Sequence, residues 1–232
     1  MIQYTIQQQI AFIQLNRPQK AHAYTQMMLS TLERIYQDIN GQCSVAIIYS
    51  TGHRVFCAGA DLNEMNTKTA EEALDLFSQK VFEQIAQSPI VSIAAVHGPA
   101  IAGGCELALA CDLRIASTLA HFSLPEVSLG LIPSAGGSTR LTRLLGSSIA
   151  KGVILGGKDI SAEEALRWGL VHHLSEAPLE RAKAWAESIA QKDPLALRLA
   201  KAVINAPSLE KERIAEAILY ERKFGTNSSR SS

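Results

Sequence analysis

Apolar and polar residues alternate over residues 4–6 and 10–15, on either side of Gln7-Gln8-Gln9, and this period of two predicts a β-hairpin. Asn16-Arg17-Pro18 ends the second strand. Met28, Leu32, Ile35 and Ile39 then recur at helical spacing, with Asn40-Gly41 as the stop. Residues 45–49 are a β-branched run that predicts a buried strand, turned by Thr51-Gly52 into residues 55–62. Thr69-Ala70-Glu71-Glu72 has the form of a capping box and predicts a helix to Gln87. Ser88-Pro89 breaks it, and residues 90–96 form another buried strand. A helix is expected to start at Gly103-Gly104, followed by short extended runs at 113–116 and 122–124. A loop at 133–137 opens a further helix over 139–145.

From Ser161 the pattern is mainly helical. Ser161-Ala162-Glu163-Glu164 is a second capping box, Gly169 closes its helix, and residues 170–174 read as a short strand. Three amphipathic helices follow at 179–191, 195–205 and 209–224, separated by Asp193-Pro194 and Ala206-Pro207. Residues 225–232 are serine-rich with nothing to bury, and disorder is expected there. Strands alternating with helices and then a helical end define one α/β unit. Its expected parts are a core over 1–190, a C-terminal helical region over 191–224, and the tail.

Composition narrows the classes of function. The 232 residues are 47% hydrophobic and 19% charged, with Lys+Arg 22 against Asp+Glu 22. That balance gives no broad basic footprint, so neither nucleic acid nor a membrane surface is an expected partner. The four cysteines lack CxxC or Cys/His spacing and read as reduced intracellular thiols. Residues 90–105 carry no charge, but a span needs about 20 apolar residues, and this run is interrupted by His97, Gly98 and Pro99. The N-terminus lacks the zones of a signal peptide, so a cytoplasmic location is expected.

Two glycine turns follow buried strands, at Gly59 and at Gly103-Gly104. A sharp turn or the first turn of a helix leaves N–H groups unbonded and free to point into a cleft. Two such donors converging on one oxygen make an oxyanion hole, each worth roughly 3 kcal/mol of barrier. Near the second turn lie two glutamates, Glu106 and Glu126, 20 residues apart in the chain. Other candidates are weaker. His172-His173 is no metal pair if the two residues sit on opposite faces of a strand, and no carboxylate stands at ligand spacing. No GxGxxG follows a strand, and Gly136-Gly137 has no P-loop lysine. Small buried side chains account for Cys57 and Cys105 without a nucleophilic role.

Residues 56–62 (FCAGADL) and 102–108 (AGGCELA), with 111–116 (CDLRIA), 122–130 (FSLPEVSLG) and 132–141 (IPSAGGSTRL), resemble the crotonase (enoyl-CoA hydratase/isomerase) superfamily, and most closely its enoyl-CoA hydratases. The resemblance covers Ile10 to about Asn205. It implies a crotonase-like spiral of ββα units with a helical C-terminal region, assembled as a homotrimer or a hexamer. It implies an acyl-CoA substrate and no separate cofactor, since coenzyme A is part of the substrate, and no metal. The hole donors would be the N–H groups of Ala60 and Gly103. Glu106 would hold and deprotonate water, and Glu126 would deliver the proton. Lys20, Ala21 and His22 would lie along the pantetheine and phosphates, and Ala58, Asp61 and Leu62 would contact the adenine side through backbone atoms.

The chain departs from the family in two places. After Pro18 the usual leucine-asparagine is replaced by Ala21-His22-Ala23-Tyr24, where His22 meets either a phosphate or solvent. The end at residues 225–232 is shorter than the family's helical close, which predicts a lid that admits water and a looser grip on CoA. Acyl length is expected to depend on a wall between Leu62 and Gln87 and on the last helices. The alternatives are a Δ3,Δ2-enoyl-CoA isomerase, which needs only Glu126, and a weakly active binding protein.

Overall fold

The computed structural model describes residues 1–52, 54–65 and 75–224. The predicted hairpin is present: β1 (Ile2–Gln7) pairs antiparallel with β2 (Ile10–Leu15). From β2 onward, β3 (Val45–Ser50), β4 (Val91–Val96), β6 (Leu113–Ala116) and β9 (His173–Leu174) add in parallel, giving the order β1-β2-β3-β4-β6-β9. A second sheet holds β5 (Ala100–Ile101), β7 (His121–Ser123) and β8 (Ile160–Ser161). The chain therefore winds as a spiral. β3 is followed by Cys57, which bridges to Ala100; β4 is followed by β5, and β6 by β7. Each turn leaves one strand in the large sheet and one extended piece beside the small one.

Both faces of the large sheet are covered, which is why β3 and β4 read as unbroken apolar runs rather than alternating ones. Ala46, Ile48 and Ala94 face α1 (Gln26–Asp38) and α3 (Phe77–Gln87), against Leu32, Ile35, Phe82 and Ile85. Val45, Ile47 and Ile93 face the other way, onto Ala182, Ala186 and Ile189 of α7 (Pro178–Ala190). Successive residues point to opposite faces, so each strand feeds both cores.

Local signals explain the helix starts. Thr25 Oγ1 accepts from the Met28 N–H at 3.2 Å and caps α1. The capping box at Ser161 is complete, with both reciprocal bonds at 3.2 Å, and starts α6 (Ala162–Arg167). The box at residues 69–72 lies outside the described residues. A short α2 (Leu62–Met65) comes before that box in the chain. The loop at 133–137 opens α5 (Gly137–Ile154), which continues well past Leu145 after a break at Gly146, where φ is +81°.

The carboxyl-terminal helices α8 (Pro194–Asn205) and α9 (Leu209–Phe224) fall where the pattern put them. Buried Lys201 fastens α8: its Nζ donates to Asp112 Oδ2 and to the Ile90 carbonyl, both at 2.7 Å. Asp112 Oδ2 also accepts from the Ser92 N–H at 2.7 Å, so a single carboxylate ties β4, the start of β6 and α8 together. By contrast α9 buries no residue, and Leu209, Ile214, Ile218, Tyr220 and Phe224 stay exposed. No helix of the described residues is long and apolar enough to cross a membrane.

Removing one partner of a buried pair leaves the other uncompensated. Lys201→Met should therefore cost about 2–3 kcal/mol in urea unfolding, and a change below about 0.5 kcal/mol would show that Asp112 does not depend on it.

Candidate active site

The site begins where consecutive turns of the spiral touch. The Phe56 and Cys57 amides donate to the Pro99 carbonyl at 2.9 and 3.3 Å, and the Ile101 amide donates back to Cys57 at 3.0 Å. Helix α4 (Gly103–Ala110) starts directly after this ladder. A Cβ on Gly104 would lie 2.0 Å from the Cys57 carbonyl oxygen, so only glycine lets the helix approach so closely. Arg114, buried beneath α4, donates to the carbonyls of Ala108, Cys111 and Leu170 at 3.2, 2.5 and 2.6 Å and closes the far end of the helix.

This approach brings the two expected donors onto adjoining loops. A Cβ on Gly59 would stand 3.1 Å from the Gly103 nitrogen. Ala60 is clasped by Tyr24, whose N–H donates to Gly59 at 2.8 Å and whose carbonyl accepts from Asp61 at 2.9 Å. Gly103 is the first residue of α4, at the positive end of its dipole. Among the described residues, neither the Ala60 nor the Gly103 N–H is taken up by another group. Ala102, just before, has φ +50° and ψ −125°, a strained conformation for a residue with a side chain.

Glu106 sits on the first turn of α4 and is 3% exposed. Its Oε1 accepts from the Gly137 N–H at 2.8 Å, and the Ala135 amide also donates to the carboxylate. Burial pushes its pKa up to about 7, and the charge of Glu126 adds to the rise. The two amides and the Arg140 guanidinium work against it. Glu126 opens a 3-10 turn (Glu126–Leu129) after Pro125 and is 9% exposed; burial raises its pKa as well. Its Oε2 has no hydrogen-bond partner among the described residues. The two acids therefore differ: Glu106 carries donors that favour the carboxylate, whereas the second oxygen of Glu126 carries none.

Sequence reasoning passed over Tyr24. Its hydroxyl lies against Gly103, where a Cβ would come within 2.1 Å of it, and burial followed by the charge of Glu106 keeps it protonated. Tyr24, Leu29, Ala60, Met65, Phe77 and Ser78 line a cavity beside the Ala60 loop. From the stretch between Leu62 and Gln87, Met65, Phe77 and Ser78 reach this cavity. The replacement of the family's usual residues after Pro18 was the available signal for Tyr24.

The residues expected along CoA gather on the same two loops. Lys20 ends a 3-10 turn (Pro18–Lys20) and is exposed, Ala21 receives the Ala58 N–H at 3.0 Å, and Leu62 is 61% exposed. Asp61 pairs with Arg17 at 2.6 Å, a hydrogen bond that holds its carboxyl below the usual range, while its N–H donates to Tyr24 and its carbonyl accepts from Met65 at 3.1 Å. His22 departs from expectation. It is buried, Nδ1 accepts from the Arg17 N–H at 3.2 Å and Nε2 donates to the Thr51 carbonyl at 2.9 Å, so the ring faces neither phosphate nor solvent.

The other candidates resolve on contacts. The rings of His172 and His173 both meet the edge of Trp185, at 5.7 and 5.1 Å, because β9 starts only at His173; they do not take opposite faces. Among the described residues no group of three His, Cys, Asp or Glu is placed to hold a metal ion. Cys57 and Cys105 are buried, with the Cys57 thiol pushed up to about 12 and that of Cys105 also raised, and such thiols are poor nucleophiles.

A family model described as Enoyl-CoA hydratase/isomerase matches residues 5–232. The "Probable enoyl-CoA hydratase echA8" of Mycobacterium leprae is 41% identical over 220 residues, covering 94% of this chain and 85% of that protein. The "Short-chain-enoyl-CoA hydratase" of Clostridium acetobutylicum is 38% identical over 202 residues, covering 84% and 77%. A crystal structure of enoyl-CoA hydratase from Bacillus anthracis has the same fold, with a TM-score of 0.88 at 36% identity, covering 95% of this chain and 89% of that one.

The raised pKa of Glu106 carries a stability cost with a definite sign. The folded state holds this proton more tightly than the unfolded chain, so the contribution is present at low pH and lost as pH rises from 4.5 through about 7. Glu106→Gln should therefore be more stable than the parent at pH 8, by on the order of 2 kcal/mol, and nearly equal at pH 4.5. Thermal unfolding at the two pH values checks this, and a gain of the same size at both would rule out ionisation as its cause.

Proposed function

This chain belongs to the enoyl-CoA hydratase/isomerase family, and from that premise we propose that it is an enoyl-CoA hydratase, adding water syn across the 2,3-double bond of a 2-enoyl-CoA. The observation that carries this reading is the pair of buried, dissimilar acids beside two amides with no other partner among the described residues. The thioester oxygen accepts from the Ala60 and Gly103 N–H groups. Negative charge grows on that oxygen as the bond is attacked, so these dipoles favour the transition state over the ground state.

Glu106, held by its two amides and balanced near neutrality, takes a proton from water as the water oxygen bonds to C3. Glu126, protonated, gives its proton to C2 from the same side. The pair holds one proton between them before and after the reaction, and the two titrate as a coupled unit. No metal or further cofactor enters this scheme, because coenzyme A arrives with the substrate. The exposed apolar residues of α9 support assembly with other copies of the chain, as a homotrimer or hexamer.

Isomerisation of a 3-enoyl-CoA would need one carboxylate and no water, which leaves Glu106 and its amide donors without a task. Similarity to a relative named for short-chain substrates makes crotonyl-CoA the first compound to test. Its 2-enoyl absorbance should fall on addition of the protein, and Glu106→Gln should slow that fall by about 10²- to 10⁴-fold. A signal that instead grows from a 3-enoyl-CoA, with crotonyl-CoA untouched, would reverse the assignment.

A further inference from the structure

The groups that grip Glu106 are themselves held by a clamp with no role in the proposed reaction. Ala135 and Gly137, whose amides reach the Glu106 carboxylate, belong to the loop before α5. Arg140, one turn into α5, folds back under that loop: its Nη1 donates to the Ala135 carbonyl at 2.9 Å, and its N–H donates to Gly136 at 2.8 Å. Its Nη2 pairs with Glu83 Oε2 of α3 at 2.5 Å, and the guanidinium side chain is only 14% exposed. From the same helix, Gln79 Nε2 donates to the Ser134 carbonyl at 2.8 Å.

The fit leaves no slack. A Cβ on Gly136, where φ is +105°, would fall 2.0 Å from Arg140 Nη1, and one on Gly137 would fall 2.9 Å from Glu106 Oε1. Ala135 thus has its carbonyl on Arg140 and its N–H toward Glu106, so this one residue links the two.

We propose that Arg140, braced by Glu83, is the positioning residue for Glu106, holding the Ala135 and Gly137 amides on its carboxylate and favouring its ionised form. The inference rests on the reading of Glu106 as the base for water, but its geometry stands apart from that reading. Among the described residues, the charged or titratable groups facing Glu106 are Glu126 from the 3-10 turn, Tyr24 from the loop before α1, Cys105 on α4 itself, and Arg140 from α5. Arg140 is the cation of that set, and Glu126 opposes it.

The sign follows from the charges. Without the cation and its loop, Glu106 holds its proton to higher pH, so activity that requires the carboxylate appears later as pH rises. Arg140→Gln should raise the midpoint of the acid limb of kcat by at least about half a pH unit and lower kcat about tenfold or more, with KM little changed. Arg140→Lys keeps the charge without the fork and should restore much of the midpoint but less of kcat. Glu83→Gln, at an exposed site, should give a smaller shift in the same direction. A purely structural role would scale activity down equally at every pH.

Substrate-free titration of carbon-13-labelled glutamate by NMR, with Glu106→Gln to assign the resonance, reads the same midpoint without turnover. A midpoint that rises in Arg140→Gln supports the proposal even if crotonyl-CoA is not hydrated, in which case only the reaction assignment falls. A Glu106 midpoint unmoved in the folded Arg140→Gln and Glu83→Gln proteins overturns it, whatever the activity.

Discussion

The structure depends on the approach of α4 to the Cys57 carbonyl, made possible by the bare Cα of Gly104. That contact is a steric constraint before it is anything chemical. It presses the start of a helix onto a loop from the preceding turn, and so brings two amides that no described residue takes up, on Ala60 and Gly103, to neighbouring positions. Donors fixed in this way need no reorganisation when charge develops in front of them. The strained backbone of Ala102 and the close fit of Tyr24 over Gly103 belong to the same constraint. A chain that folded only for stability would relax both.

The acids tell a similar story in electrostatic terms. Burying two carboxyl groups near one another opposes the ionisation of each, and the fold answers asymmetrically. Glu106 receives amides from a distant loop and sits within reach of Arg140; Glu126 Oε2 receives no hydrogen bond from the described residues. The asymmetry gives the two carboxyl groups unlike surroundings, which the proposed division of roles between them requires. It also makes the pair a local weakness in the folded state, which the packed cores on either side of the sheet must offset.

What the sequence made legible was what short-range physics decides. Periods of two and of 3.6, the glycine stops and the capping box at Ser161 placed most elements near their observed ends, because those signals act within a few residues. Glu106, Glu126, Ala60 and Gly103 stood out through their motifs. The partners that qualify them did not, since the Gly137 amide lies 31 residues from Glu106 and only the spiral brings it there. His22 was misjudged for the same reason: the Thr51 carbonyl that captures its ring arrives from another strand end. His172 and His173 share Trp185 because the strand is shorter than its pattern suggested. Residues 209–224 were read correctly as a helix, yet the apolar residues of α9 are spread around it and bury none of themselves in a single chain.

The winding of the chain explains why these long-range partners meet at all. One turn supplies Ala60, the next supplies Gly103 and Glu106, and the third supplies Glu126 and then the loop and helix carrying Ala135, Gly137 and Arg140. No single turn holds a working set, so the site exists only when three successive turns are stacked in register. The parallel pairings of β3, β4 and β6 set that register, and a slip of one residue would turn every core side chain to the wrong face. The hydrophobic pattern of the strands, which carries no chemistry of its own, is therefore what aligns the donors with the acids.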